Sequence, residues 1–289
     1  MKSNAIIRIV VLSLAILVLL GILLGVLALD TYHFSFKSRI NRDERIEEVT
    51  SQIDLEYVSA DIRKIEIDWV AGNITLQRDA YATEINIQEI SPIDFEHKMV
   101  LKQSGQTLKI KYSDRDAVQF PFGTDLDISK DLIITVPMDW ECDSLEIDTA
   151  AAEVIINDLT IREFDFDGAS GICRLSNCNV GELDIDTASG DIYFTGVLET
   201  LDCDAASADC TVEVTNVPRS IKLDGMSGDL ELVLPPYAGF TCTMDTMSGD
   251  FESDFEFKSR NDTYICGDGD CRIEVSGMSG SVSILKGIE

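Results

Sequence analysis

The chain has 289 residues, and its 52 acidic side chains outnumber its 23 basic ones, which gives a formal net charge of −29. A surface with this excess of negative charge repels nucleic acid and anionic lipid headgroups, so nucleic acid is excluded as a partner. The chain is also long enough to bury a continuous apolar core.

The first predicted element is a membrane-spanning helix. Residues 9–29 carry no charged side chain, and about 20 apolar residues suffice to cross a bilayer core. We predict an N-terminal transmembrane signal anchor over residues 1–30. A cleaved signal peptide is the alternative, but the apolar run is longer than a typical signal-peptide core and no Ala-x-Ala site follows it.

The charges around this span give its predicted orientation. Lys2 and Arg8 precede the span, which favours a single-pass protein of the cell membrane with its β domain outside the cytoplasm. The basic residues that follow the span weaken this signal; they are Lys37, Arg39, Arg42 and Arg45.

A charged segment and a first β region come next. Residues 31–52 are charged and weakly patterned, which indicates a stalk or linker. Residues 53–140 are predicted to be the N-terminal β portion of the fold. Their expected strands alternate apolar and polar residues and are Ile65–Leu76, Thr83–Ile90, Met99–Tyr112 and Asp131–Pro137.

Residues 141–289 repeat a turn signature of small residues at nearly constant spacing. The turn centres are Ala151, Ser170, Ser189, Ser207, Ser227, Ser248 and Ser279. The steps between them are 19, 19, 18, 20, 21 and 31 residues. A period of about 20 residues is typical of stacked supersecondary units. We therefore predict an all-β fold: a β-solenoid of ~20-residue coils, preceded by one N-terminal transmembrane helix, with a protruding loop in the longest interval.

Every copy has the same pattern of inward and outward residues. Counted from the turn centre, apolar residues mostly occupy positions −6, −4, +3 and +5, with polar residues between them. This alternation is typical of a strand with one buried face. In the third copy, for example, Leu183 and Ile185 are predicted to point inward and Asp184 outward.

The eight cysteines of an exported chain could form disulfides. Four of them replace apolar residues at inward positions, where a free cysteine acts as a small hydrophobe: Cys173, Cys203, Cys210 and Cys242. Stacked strands lie about 4.8 Å apart, and a disulfide joins Cα atoms at most about 7 Å apart. Bridges over two coils are therefore excluded, as in Cys173–Cys210 and Cys203–Cys242. Three local pairings stay open: Cys203–Cys210 across one turn, Cys173–Cys178 and Cys266–Cys271.

The most regular polar feature is a column of aspartates at position −3. Its members are Asp148, Asp167, Asp186, Asp204, Asp224 and Asp245. Stacked carboxylates about 4.8 Å apart repel one another by roughly 1 kcal/mol even in water. One interpretation is a Ca²⁺-binding ladder, because Ca²⁺ prefers carboxylate and carbonyl oxygens. The interpretation we prefer is that each aspartate accepts hydrogen bonds from the backbone amides of its own turn, with no metal and no other cofactor.

The sequence does not indicate catalysis. It contains two histidines, His33 and His97, and no nucleophile elbow, histidine metal motif or phosphate-binding loop. We therefore predict that the protein is not an enzyme, and we identify no small-molecule substrate.

The segments Asp131–Pro137 and Leu145–Asp148, followed by repeated Ser-Gly-Asp turns, resemble the bacterial putative-adhesin family of β-strand-repeat domains. The resemblance extends from about Ile65 to Leu285. It implies a β-strand-repeat fold behind an N-terminal membrane segment, and the family's function is unassigned. The chain departs from the family pattern in its cysteines and in the two turns that lack glycine.

We expect a membrane-anchored extracytoplasmic β-solenoid that acts as an adhesion or cell-envelope interaction module. Its expected partners are the membrane, through the N-terminal helix, and a protein or cell-wall component that the sequence does not identify. One alternative is an accessory or sensor component of a cell-envelope stress response. A carbohydrate-active enzyme is the other.

Overall fold

The computed structural model describes residues 52–91, 98–113 and 129–287, which all belong to one compact unit, Val49–Glu289. All regular elements in these ranges are β-strands, so the chain has an all-β fold. In chain order they are β1 Gln52–Val58, β2 Lys64–Asp79, β3 Ile85–Ser91, β4 Val100–Ser104, β5 Thr107–Lys111, β6 Asp131–Pro137, β7 Cys142–Asn157, β8 Thr160–Ser189, β9 Ile192–Ser207, β10 Cys210–Val214, β11 Ser220–Ser227, β12 Leu230–Leu234, β13 Phe240–Ser248, β14 Phe251–Ser253, β15 Lys258–Arg260, β16 Thr263–Cys266, β17 Cys271–Ser279 and β18 Val282–Lys286.

The predicted membrane anchor lies outside the described residues, as do residues 31–51 of the predicted stalk. Within the described ranges no helix has the length and apolar character needed to cross a membrane.

The strands predicted in the first β region are confirmed. The segment Ile65–Leu76 lies in β2, where it follows the pattern of the later repeats with Ala71 as its turn centre, and the segment Asp131–Pro137 is β6. The segment predicted as Met99–Tyr112 is a hairpin of β4 and β5, which pair antiparallel. Gly105 has a φ of 60° at the tip of this hairpin, a backbone conformation that glycine adopts without a Cβ clash.

Successive repeats pair as parallel strands in two ladders. The halves that precede the turn centres form the front ladder, and the halves that follow them form the back ladder. The turn centres themselves align, so that Ala71 is in register with Ala151, Ala151 with Ser170, and Ser207 with Ser227. The ~20-residue period of the sequence is therefore the step from one strand to its parallel neighbour.

The core lies between the two ladders, and the predicted inward positions line it. Leu183 and Ile185 are buried, whereas Asp184 between them is exposed. The segments that return from the back ladder to the front ladder also bury apolar side chains, such as Leu159 and Val180. Each repeat thus adds apolar side chains to one continuous core, because its neighbours cover the faces that it cannot cover alone.

The order of the last three repeats in space differs from their order in the sequence. On the front ladder, β17 pairs with β11 on one side and with β13 on the other. On the back ladder, β18 likewise lies between β12 and β14. The repeat that comes last in the chain is therefore inserted between the two that precede it.

The long interval before the last turn centre explains this insertion, which corrects our expectation of a protruding loop. It contains the hairpin β15–β16, and β16 pairs antiparallel with the outer edge of β13. The chain then returns along the inner edge of β13 as β17. As a consequence Cys203 and Cys242 are separated by three repeats rather than the two we expected.

A buried ion pair closes the opposite end of the stack. The ammonium of Lys130 lies 2.8 Å from a carboxylate oxygen of Glu89, and both side chains are buried. The same ammonium lies 4.0 Å from the ring centroid of Tyr112 and 4.8 Å from that of Trp69. The indole of Trp69 donates a hydrogen bond of 3.0 Å to the backbone carbonyl of Lys130. Pairing and aromatic contact offset the cost of burying this charge.

Candidate functional site: an acidic face

The front ladder presents two adjacent columns of carboxylates to solvent. Strand side chains alternate between the two sides of a sheet, so positions −5 and −3 both point away from the core. Over five consecutive repeats all of these positions are acidic. The ten residues, which we call the acidic face, are Glu66, Asp68, Glu146, Asp148, Asp165, Asp167, Asp184, Asp186, Asp202 and Asp204.

The structure brings the predicted aspartates of position −3 into one column. Asp148 is in register with Asp167, and Asp204 is in register with both Asp186 and Asp224. The inserted last repeat interrupts the column, because Ser276 lies between Asp224 and Asp245. The column therefore continues from Asp224 to Asp245 only across a serine.

The second column, at position −5, was missed in the sequence. Asp184 and Asp202 belong to it, and they are in register. Its signal was available, because residues two apart in a strand share one side of the sheet. Position −3 is an aspartate in seven repeats, which makes that column easy to recognise. The acids at position −5 are harder to recognise as a column, because they vary between Asp and Glu.

Basic side chains pair with the acidic face at its two ends. At one end Lys222 lies 2.8 Å from Asp202, 3.5 Å from Asp204 and 2.9 Å from Asp224. Burial lowers the pKa of Lys222, but its hydrogen bonds with Asp202 and Asp224 outweigh this and raise the pKa above its ordinary value. At the other end Lys109 forms an ion pair with Glu66.

In the middle of the acidic face the carboxylates have no such basic partner among the described residues, and four of them have raised pKa values. Partial burial, followed by the charges of neighbouring carboxylates, raises the pKa of Asp148, Asp165, Asp184 and Asp186. For Asp148 a hydrogen bond with the side chain of Asp167 adds to the shift. Folding thus brings together negative charges that repel one another, and the core must offset this cost.

A groove runs beside the column of position −3. Its volume is about 750 Å³, and its lining includes Asp148, Asp167, Asp186 and the neighbouring Thr149. The hydroxyl of Thr149 is buried and has no hydrogen-bond partner among the described residues. Small residues such as Gly168 widen the groove between the aspartates. An elongated ligand could therefore lie along the carboxylates.

The turn amides do not bond to these aspartates as we expected. Among the described residues, Asp148, Asp167 and Asp186 accept no hydrogen bond from a backbone amide. That role belongs to position +2, where the amide of Asp229 donates to the carboxylate of Asp209 at 2.9 Å. The amide of Ser281 donates in the same way to Asp229 at 2.8 Å. Each of these bonds joins one repeat to the next.

The aspartates of position −3 form a line rather than a convergent cluster. Within the described ranges no group of three His, Cys, Asp or Glu side chains is arranged to hold a metal ion. Binding of Ca²⁺ to this column stays an untested alternative to the cation-free interpretation that we prefer, and a titration can decide between them.

The outward side of the back ladder has a different composition. Its central column at position +4 reads Ile155, Arg174, Tyr193, Thr211 and Glu231. The guanidinium of Arg174 stacks 4.2 Å from the ring centroid of Tyr193. This column contains one acid and one base, so the back ladder at position +4 provides a control surface for the acidic face.

The fold and the acidic face define an all-β protein built from in-register repeats. Residues 62–285 match the Toastrack DUF4097 family, and the chain belongs to this family. A search of the curated proteins found no match.

Several crystal structures are similar to the chain. One is a putative cell adhesion protein from Clostridium sporogenes, with 12% identity, a TM-score of 0.34 and coverage of 82% of this chain and 100% of that one. A putative adhesin from Bacteroides fragilis has 13% identity and a TM-score of 0.40, over 81% of this chain and 97% of that one. A putative lipid binding protein from Parabacteroides distasonis has 14% identity and a TM-score of 0.31, over 83% of this chain and 98% of that one.

Proposed function

We propose that this protein is a membrane-anchored, extracytoplasmic β-solenoid without catalytic activity. It acts as an adhesion or cell-envelope interaction module and binds cationic groups of its partner through the acidic face. The apolar run of residues 9–29 supports the anchor, and the parallel in-register pairing of the repeats supports the solenoid.

The observation that carries the proposed binding role is the group of unpaired carboxylates at the centre of the acidic face. Among the described residues, no lysine or arginine forms an ion pair with Asp148, Asp165, Asp167, Asp184 or Asp186. Among them, Asp148, Asp165, Asp184 and Asp186 have pKa values that are raised by partial burial and then by the charges of neighbouring carboxylates. A cationic ligand would relieve the repulsion between these carboxylates. This relief would make the free energy of binding more favourable.

Lys222 shows how an ammonium group fits this lattice of carboxylates. Its Nζ atom contacts acids from two columns and two repeats at once, at 2.8 Å, 2.9 Å and 3.5 Å. In the preceding repeats the position of Lys222 is occupied by Asp202 and Asp184. An ammonium group supplied by a partner could therefore bind between the columns as Lys222 does.

Binding of this kind depends on several contacts made together. One exposed ion pair contributes about 0–1 kcal/mol, and salt screens it. An array of ten carboxylates can still bind a polycation well, because linked contacts act at a high effective concentration. The proposed interaction should therefore be multivalent and sensitive to salt.

The experiment compares two variants of the full chain in detergent, with a decamer of lysine as the probe. The Asp165→Asn/Asp184→Asn variant removes two charges from the front, and Glu213→Gln/Glu231→Gln removes two from the back. We expect the front variant to bind the decamer about tenfold more weakly at low salt and the back variant to match the wild type within about twofold. Equal weakening by both variants would show that net charge, not the acidic face, attracts the probe.

The proposed placement in the cell has a separate test. A membrane-impermeant amine reagent applied to intact cells should modify exposed lysines of the β domain, such as Lys102 and Lys258, and the chain should stay in the membrane fraction after a high-salt wash. Modification only after lysis would contradict the extracytoplasmic placement. Release by the wash would contradict the anchor.

A further inference from the structure

Two buried cysteines face each other across one turn of the stack. Cys203 is at position −4 of its repeat and Cys210 is at position +3, and both are fully or almost fully buried. The thiol of Cys210 donates a hydrogen bond to Cys203, with 3.8 Å between the sulfur atoms. In the preceding repeat the same two positions are occupied by Ile185 and Ile192. The cysteines thus replace an apolar pair that packs the front ladder against the back ladder.

The turn between the two cysteines lacks the glycine of its neighbours. In the adjacent repeats Gly190 and Gly228 have φ values of 145° and 152° at this position. Ala208 takes their place here and is not among the described residues with positive φ. The glycine conformation that closes the neighbouring turns is therefore absent from the turn that the two thiols span.

We propose that Cys203 and Cys210 form an intrachain disulfide that links the front and back ladders of this repeat. The oxidant is a disulfide, either a small one such as oxidised glutathione or the disulfide of an oxidoreductase. One thiolate attacks the oxidant, forms a mixed disulfide and releases the first thiol. The second thiolate then attacks the mixed disulfide and releases the second thiol. The two cysteines together lose two protons and two electrons, and the oxidant gains them.

The environment of the pair determines when this reaction takes place. The hydrogen bond with Cys203, together with burial, raises the pKa of Cys210 in the folded chain. Because the thiolate is the nucleophile, exchange in the folded state is slow. The intervening turn is exposed at Asp204, Ala206, Ser207 and Asp209. The bond should therefore form while the chain folds or when this turn opens, and it should be protected from reductant afterwards.

The stacking places Cys173 out of disulfide reach of Cys210, and Cys242 out of reach of Cys203. Cys173 is in register with Ile192, which is in register with Cys210, so two strand steps separate the cysteines. This distance, about 9.6 Å, exceeds the reach of a disulfide. Cys242 lies three repeats from Cys203. The proposed bond follows from this geometry, and in the cell it rests on the proposed extracytoplasmic placement for an oxidising environment.

The test is oxidative refolding of the full chain. The reduced, denatured protein is refolded in detergent with a glutathione redox buffer, denatured again in the presence of an alkylating reagent and digested for mass spectrometry. We expect the peptide that contains Cys203 and Cys210 to be unalkylated and two hydrogen masses lighter than its reduced form. Alkylation of both cysteines, or a bond from either one to Cys173 or Cys242, would overturn the proposal.

Thermal unfolding of the same samples measures the effect of the bond on stability. The oxidised wild type should melt about 5 °C above the reduced wild type, because the bond constrains the unfolded chain. The Cys210→Ala variant should lose this difference, whereas Cys173→Ala should keep it. The wild-type comparison stands even where a variant fails to fold. A bond that forms without raising the melting temperature would overturn its role as a link between the ladders.

Discussion

The division between inward and outward residues is tested most sharply by two neighbours in β8. Ile185 is fully buried and Asp184 is exposed, although one peptide bond separates them. Truncating a buried isoleucine costs about 2–5 kcal/mol. A buried charge without a partner adds about 3 kcal/mol or more. Since domains are stable by about 5–15 kcal/mol, Ile185→Asp should unfold its repeat and those beside it.

The matched change Asp184→Lys should leave the fold intact. Asp184 is in register with Asp202, so the new ammonium would lie beside a carboxylate as Lys222 does. It would also remove one member of a repelling column. We therefore expect unchanged or slightly increased stability from this substitution. Urea unfolding of the full chain in detergent, followed by circular dichroism, measures both variants. Similar losses of stability in Asp184→Lys and Ile185→Asp would refute the assigned register.

Three further predictions concern charge, cations and turn geometry. The pKa values of four carboxylates are raised in the folded state, so these groups bind protons more readily when the chain is folded: Asp148, Asp165, Asp184 and Asp186. Stability to urea should therefore increase as the pH falls from neutral through their folded pKa values. A decrease in stability from neutral pH onward would contradict this. If the aspartate column does not select calcium, millimolar Ca²⁺ and Mg²⁺ should shift the melting temperature equally, and a larger Ca²⁺ shift would support the ladder. Gly190→Ala should destabilise the protein far more than Gly105→Ala. A Cβ atom at position 190 would meet the carbonyl oxygen of Gly171 at 1.9 Å, whereas one at position 105 would meet nothing within 4 Å. Thermal unfolding compares the two variants, and equal losses of stability would mean that the repeats are packed less closely.

Much of the fold could be predicted from the sequence because one local rule repeats. The alternation around each turn centre identifies Leu183 and Ile185 as inward, and the structure buries both. The spacing of the centres predicts which residues are in register, as with Ser207 and Ser227. In such a stack the contacts of each repeat lie with its nearest neighbours, so a local pattern determines most of the pairing.

The order of the last repeats could not be predicted in this way. The inserted repeat has the same inward pattern as its neighbours, and Ser279 pairs equally well with Ser227 and Ser248. Its position is determined by the hairpin β15–β16, whose strands are short and lack the repeat pattern. The buried pair of Lys130 and Glu89 was also missed, because a sequence pattern does not show which distant charges meet in a core.

The candidate site was predicted in part. The column of position −3 was found because its residue type hardly varies. The ion pairs of Lys222 could not be predicted, because Lys222 is 18 residues from Asp204 and 20 from Asp202 in the sequence. The unpaired centre of the acidic face likewise becomes visible only when the strands are placed side by side. The role of the turn amides was assigned to the wrong position, because a carboxylate can cap its own turn or, as Asp209 does, the next one.

The stack of in-register repeats, with the last repeat inserted between its two predecessors, can be tested directly by cross-linking cysteines placed at three exposed turn centres. Ser279 is in register with both Ser227 and Ser248, whereas Ser227 and Ser248 lie two strand steps, about 9.6 Å, apart. We predict that mild oxidation cross-links Ser227→Cys with Ser279→Cys, and Ser248→Cys with Ser279→Cys, but not Ser227→Cys with Ser248→Cys. Efficient cross-linking of the 227/248 pair, with none of the 227/279 pair, would show that the repeats stack in sequence order and would contradict the arrangement described.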